Sequence, residues 1–201
     1  MGKGVFQVPS QQFKTRRMVL IGLFAAISII LYFLEIPFFS AYLKIDFSDL
    51  PAALAAILFG PLAGILIELI KNIIFFIVRD AGQTMGYGAL INFIVGVALI
   101  LPLSIISRLL LHHGKTLFLA LLIGGIAGLA SMVVVGIVAN SIIAPPYFYY
   151  VLHVPLTGKL LSAAVLSATI LNVAKSIITA VILGPLLTAM RRNSRMLHGL
   201  G

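Results

Sequence analysis

The feature that most limits what this chain can become is its succession of apolar runs, most of them as long as a bilayer is thick. A spanning helix needs about 20 mainly apolar residues. Such runs recur at 17–34, 61–78, 88–109, 116–143 and 160–190, with a shorter one between Asp49 and Gly60. Of the 201 residues, 61% are hydrophobic and 9% charged, against about 25% charged in a soluble domain. A chain this apolar cannot cover itself with polar surface in water. The expected fold is an all-α integral membrane protein, a six-helix transmembrane bundle over 16–192, between an irregular cytoplasmic segment (1–15) and a cytoplasmic tail (193–201).

The six segments are unequal. Asp49 is the expected N-cap of the second, with Pro51 in its first turn, and Gly60-Pro61 ends it. A ten-residue helix reaches only about 15 Å. It is therefore expected either to be buried against other helices or to tilt into one segment with the third. The fifth is longer than a bilayer requires and is expected to stop at Ala144-Pro145-Pro146, before an aromatic stretch from Tyr147 to Tyr150 suited to the headgroup level. The segment from Ile36 to Ser48 reads as a loop.

The formal charge of +9 would suggest nucleic acid in a soluble protein, but its distribution argues for a membrane. Lys3, Lys14, Arg16, Arg17, Arg108, Lys115, Arg191, Arg192 and Arg195 all fall on one side of a six-span chain, whereas Lys44, Arg79 and Lys159 on the other side are set against Asp46, Asp49 and Asp80. Basic loops mark the cytoplasmic face, so both termini are expected there. The basic N-terminus before an apolar run resembles a signal peptide, but the run is long, lacks a convincing small-residue cleavage site, and is followed by further spans. There is no cysteine, hence no disulfide framework or thiol chemistry.

Polar groups inside the hydrocarbon are costly, so those present need a reason. Asn172 and Lys175 lie three residues apart in the sixth segment, with Thr169, Ser176 and Thr179 on the same side. This stripe is either a ligand site or a structural set of buried ion pairs and interhelical hydrogen bonds. Glu68, Lys71 and Asn72 share one face of the third, where Glu68 and Lys71 can neutralise one another. Asn140 follows Gly124, Gly128 and Gly136 along one face of the fifth, and Asn92 lies between Gly88 and Gly96 in the fourth. Glycines at such spacing let helices pack closely, and either asparagine could be an interhelical hydrogen bond or a ligand contact. Enzyme constellations are missing. None of His112, His113, His153 and His198 falls in a span with a carboxylate partner, no serine lies in a nucleophile-elbow pattern, and there is no Walker sequence. No catalytic residue, metal site or cofactor is expected.

The run YLKIDFSDLPAALAAILFGPLAGILIELIKN resembles the first loop through third helix of the substrate-binding S components of energy-coupling-factor (ECF) vitamin transporters. KIDFSDLP followed by FGPLAG and IKN is most similar to the riboflavin-specific members, and GALINFIVG, Asn140 and LNVAKS follow in the family's order. The resemblance covers roughly 16–192. It implies six helices with cytoplasmic termini, and a vitamin cavity that opens outward under the first external loop. It also implies a location in the bacterial plasma membrane and assembly with a transmembrane coupling subunit and two ATPase subunits. In the family, an A-x-x-x-A pattern on the first helix meets the coupling subunit; Gly22 and Ala26 stand at that spacing here, glycine replacing the first alanine. The implied substrate contacts are Asn140, Asn172 and Lys175 on the isoalloxazine ring, Lys44, Ile45 and Asp46 in the loop, and Gly88 at the start of GALINFIVG. Riboflavin is then a transported ligand rather than a cofactor. Lys44 could also attract a phosphate, which leaves FMN open beside another small vitamin, and a membrane scaffold without any ligand is the reading from a different class.

Overall fold

A computed structural model describes the backbone of residues 10–34, 36–38, 40–154 and 158–192, and the side chains of residues 15–34, 45–154 and 158–190. Six helical segments follow one another. They are α1 (Ser10–Phe33), α2 (Asp49–Phe59), α3 (Pro61–Phe75), α4 (Tyr87–His112), α5 (Leu117–Tyr150) and α6 (Gly158–Arg192). The third runs on through a π-helical turn (Phe76–Asp80) and one further helical turn (Ala81–Gln83). Five of the segments are long and apolar enough to cross a membrane, and α2 is not.

Two expectations change. The stretch between α1 and α2, expected as a loop, forms a short hairpin within an otherwise all-helical fold. Strands β1 (Ile36–Phe38) and β2 (Ser40–Ile45) pair antiparallel, Ile36 opposite Ile45 and Pro37 opposite Lys44. Aromatic and β-branched residues such as Phe38, Tyr42 and Ile45 suit a pleated ribbon, and Pro37 is tolerated because each strand of a two-stranded ribbon is an edge. The fifth helix, in turn, does not stop at Ala144. It continues through Pro145 and Pro146 to Tyr150, so the aromatic stretch is its last turn. Proline interrupts a helix less severely in a membrane bundle, where neighbours can satisfy the freed carbonyls.

Of the two options for the short second segment, burial is the one realised. Ala52, Ala53, Ala55 and Ala56 are fully buried, because α1, α3, α4 and α6 all pack on α2. Alanine side chains let those neighbours come close. A Cβ on Gly64 of α3 would stand 2.7 Å from Ala56 Cβ and 2.9 Å from Ala52 O, so only glycine fits there. Gly60, at φ +103°, turns the chain, and Pro61 opens α3, where a missing N–H costs nothing.

The C-terminus of α2 ends among two arginines from other helices. Arg17 of α1 donates to Phe59 O. Arg108 of α4 donates from Nη1 to Ile57 O at 2.6 Å and to Leu58 O at 3.3 Å. The last carbonyls of a helix lack partners within it, and cations complement the negative end of its dipole. Elsewhere glycine sets the distance between helices. A Cβ at Gly124 or Gly128 of α5 would come within 2.7 Å of the Leu103 or Leu99 carbonyl of α4. Replacing Arg108 by Leu strips two carbonyls of their partner. The expected loss is about 1 kcal/mol, read as a lower melting temperature in detergent; an unchanged melt would show that water caps α2 equally well.

Candidate functional site

The polar residues of five helices and the hairpin's exit converge on one buried network. Lys175 of α6 reaches Asp46 Oδ2 at 3.1 Å, Asp49 Oδ2 at 3.0 Å and Asn92 Oδ1 at 3.4 Å. Lys71 of α3 reaches Asp49 Oδ1 and Glu68 Oε2, each at 2.7 Å, and Ser48 Oγ at 3.0 Å. Asp49 thus lies between two lysines, one on each carboxylate oxygen. It is not the N-cap of α2: Ser48 occupies that position, without a side-chain capping bond. The carboxylate turns inward because two buried ammonium groups are stronger partners than the orphan N–H groups of the first turn.

Further bonds tie the two lysines together. Asn92 donates to Asn72 Oδ1 at 3.1 Å, and Asn72 donates to Glu68 O at 2.9 Å. Asp46 Oδ1 accepts from the Ser48 N–H at 2.9 Å and from the Ser48 hydroxyl, and Ser28 of α1 donates to Ser48 O. Lys71 Nζ also lies 5.3 Å from the centre of the Tyr32 ring, within cation–π range. Each lysine has three N–H donors, and protein atoms face all of them. Glu68 Oε1 is buried without a hydrogen-bond partner among the described residues. Glu68 and Lys71 therefore do pair, as their spacing suggested, but within a larger set.

Asn172 and Asn140 meet at Gly136. Asn172 is 8% exposed and makes no hydrogen bond with another described residue. Its Nδ2 occupies the position that a side chain on Gly136 would need, 2.7 Å from the ideal Cβ. Asn140 donates from Nδ2 to Gly136 O at 2.8 Å. Below them on α6, Ser176 donates to Met132 Sδ at 3.6 Å, while Thr169 turns back to Val165 O at 2.8 Å and is occupied within its own helix.

Of the expected contact residues, Asp46 and Lys175 touch directly, Asn172 lies one turn from Lys175, and Ile45 is buried next to Asp46. The Lys44 side chain lies outside the described residues. Gly88 is not brought to this cluster. It sits under Asp80, whose Oδ1 would be 2.8 Å from a Cβ there. Asp80 accepts from Thr84 Oγ1 at 2.6 Å and from the Ala89 N–H at 2.9 Å, closing the start of α4. Gly22 and Ala26 are exposed on α1, with open space beside Gly22. A recess of about 440 Å³ between α3 and α4, lined by Leu69, Ile73, Phe76, Leu90 and Phe93, includes Asn72 but no residue of α6. In the sequence Asn92 stands open between a helix contact and a ligand contact; Ser48 and Asp49, in the candidate loop YLKIDFSDLP, are members that the implied substrate contacts leave out. Their signal was three polar residues, Asp46, Ser48 and Asp49, next to an alanine-rich helix too short to span.

Comparison with known proteins bears on this arrangement. The chain is 32% identical over 173 residues to the riboflavin transporter FmnP of Bacillus subtilis, covering 84% of this chain and 88% of that protein. It is 38% identical over 90 residues to the riboflavin transporter RibU of Staphylococcus aureus, covering 44% of this chain and 46% of that one. Its fold superposes on the solved S component of a bacterial ECF transporter with a TM-score of 0.66 and 26% identity, over 92% of this chain and 98% of that one. Residues 16–187 match the family model described as ECF transporter, substrate-specific component. With most of its length matched, the chain belongs to the family of substrate-specific components of ECF transporters.

Proposed function

We propose that this chain captures riboflavin from outside the bacterial cell membrane and delivers it through an ATP-driven complex with an ECF coupling subunit and two ATPase subunits. Both termini lie in the cytoplasm in this reading, on the side of Arg17 and Arg108. The observation that carries it is the meeting of Asn172 and Asn140 at Gly136, one helical turn from Lys175: the Asn172 Nδ2 sits against Gly136, whose carbonyl accepts from Asn140. The pyrimidine edge of flavin offers two carbonyls and one imide N–H. Asparagine can both donate and accept, while lysine only donates. The two relatives named as riboflavin transporters support the same ligand.

The roles divide accordingly. Asn140 and Asn172 bind the ring edge. Lys175 donates to a flavin carbonyl in exchange for its longest contact, the 3.4 Å one to Asn92. Asp46 has both carboxylate oxygens engaged, so it orients Lys175 and fixes the loop instead of bonding the ligand. Ile45 packs beneath that loop, and Lys44 serves the polar end of the ligand. Gly22 and Ala26 form the exposed small-residue face for the coupling subunit.

Titrating the purified protein with riboflavin is expected to quench flavin fluorescence, and a protein that never quenches it refutes the ligand. Competition with FMN, thiamine, biotin and folate identifies a different vitamin, and a protein stabilised by none of them is a scaffold. Asn172→Ala should weaken riboflavin binding by about 1–3 kcal/mol with little change in melting temperature. Lys175→Ala should also cost about 3–5 kcal/mol of stability, since it leaves buried carboxylates uncompensated; equal melting of the two variants would contradict the ion-pair role. Gly22→Leu should leave riboflavin binding intact and abolish co-purification with the coupling subunit.

A further inference from the structure

The glycines of α5 are not doing the same thing. At Gly124 and Gly128 the nearest atoms to an added Cβ include backbone carbonyls of α4, at 2.7 Å. A methyl there must push two helices apart. At Gly136 the near atom is Asn172 Nδ2 at 2.7 Å, and the next residue, Val95, is in ordinary contact at 3.8 Å. Helix packing therefore does not require glycine at 136; the amide of Asn172 does. The same residue's carbonyl accepts Asn140 Nδ2 at 2.8 Å. Only the nitrogen of an amide can donate to a carbonyl, so this bond fixes which way round the Asn140 amide sits and leaves its Oδ1 and second N–H available.

We propose that Gly136 is the positioning residue of the substrate site. Its missing side chain seats the Asn172 amide, and its carbonyl sets the polarity of the Asn140 amide. The inference rests on the reading of these two asparagines as ligand contacts. Its consequence for specificity is that Asn140 presents a fixed acceptor. The preferred ligand carries an N–H donor next to a carbonyl, as an imide edge does, because it meets the Oδ1 and the second N–H of Asn140 together. The Asn172 amide is the free end of a short side chain with no bond to hold it among the described residues. A methyl at 136 displaces that amide and leaves the helices in place.

The test is a cycle of Gly136→Ala, Asn172→Ala and the double variant, read by riboflavin fluorescence titration and by thermal melting. Gly136→Ala is expected to melt close to wild type and to bind riboflavin roughly tenfold to a hundredfold more weakly, the cost of one lost buried hydrogen bond. Asn172→Ala should lose a similar factor, and the double variant no more than either single one. Multiplied losses in the double variant, or wild-type affinity in Gly136→Ala, overturn the proposal. If Gly136→Ala does not fold, Gly136→Ala/Asn172→Ala should, because the crowding amide is gone; a double variant that also fails to fold overturns it. A wild-type protein that ignores riboflavin refutes the ligand alone. The seat is then read from melting, where Asn172→Ala must raise the stability of the Gly136→Ala background.

Discussion

The structure depends on a carboxylate shared by two lysines. Asp49 holds Lys71 of α3 on one oxygen and Lys175 of α6 on the other, and so draws α2, α3 and α6 to one point. In a bilayer there is no hydrophobic drive to bring helix to helix, because lipid is as apolar as leucine. Close packing on small residues and polar contacts must do it. The glycine and alanine surfaces of α2, α3 and α5 supply the first. Asp49, with Asp46, Glu68 and the asparagines, supplies the second. A buried pair of this kind is costly to break from one side, since the remaining charge has no water to turn to. The two ammonium groups are therefore fixed in place, with Lys175 one turn from Asn172 on α6.

Much of this was legible in the residues. The apolar runs defined the spans because hydropathy acts locally, and the three- and four-residue spacings of Glu68, Lys71 and Asn72 and of Asn172 and Lys175 defined which faces turn inward. What could not be read was the partner of each face. Asp49 has the local signature of a helix cap, and only the approach of α3 and α6, distant in sequence, gives its carboxylate a stronger use. Pro145-Pro146 carries the local signature of a helix end, yet the helix passes through it at the end of a long span. Gly88 matched a family pattern but is occupied by Asp80, which serves the backbone of α4 instead of a ligand.

Glycine shows the same limit within one helix. Gly124, Gly128 and Gly136 are alike in sequence, and their spacing suggests one interface. The first two meet backbone carbonyls of α4, with Ser107 Oγ also against Gly124, and the third meets no backbone but a side chain of α6. Spacing identifies the face on which small residues lie. It does not tell whether the space they leave is taken by a neighbouring helix or by a functional group.

The shortness of α2 has a further consequence. Eleven residues cover about 16 Å, half of the roughly 30 Å hydrocarbon core. Closed at its C-terminal end by Arg17 and Arg108 and at its N-terminal end by buried serine, aspartate and lysine, this helix has no need to reach the second surface. An ordinary sixth span would have filled the axis of the bundle from face to face. Here α2 stops halfway, and the chain before it is a two-stranded hairpin instead of more helix. A solute-sized void in a membrane is difficult to carve between full-length helices that attract one another along their whole length. A helix of half length removes that obstacle while α1, α3, α4 and α6 still pack on it.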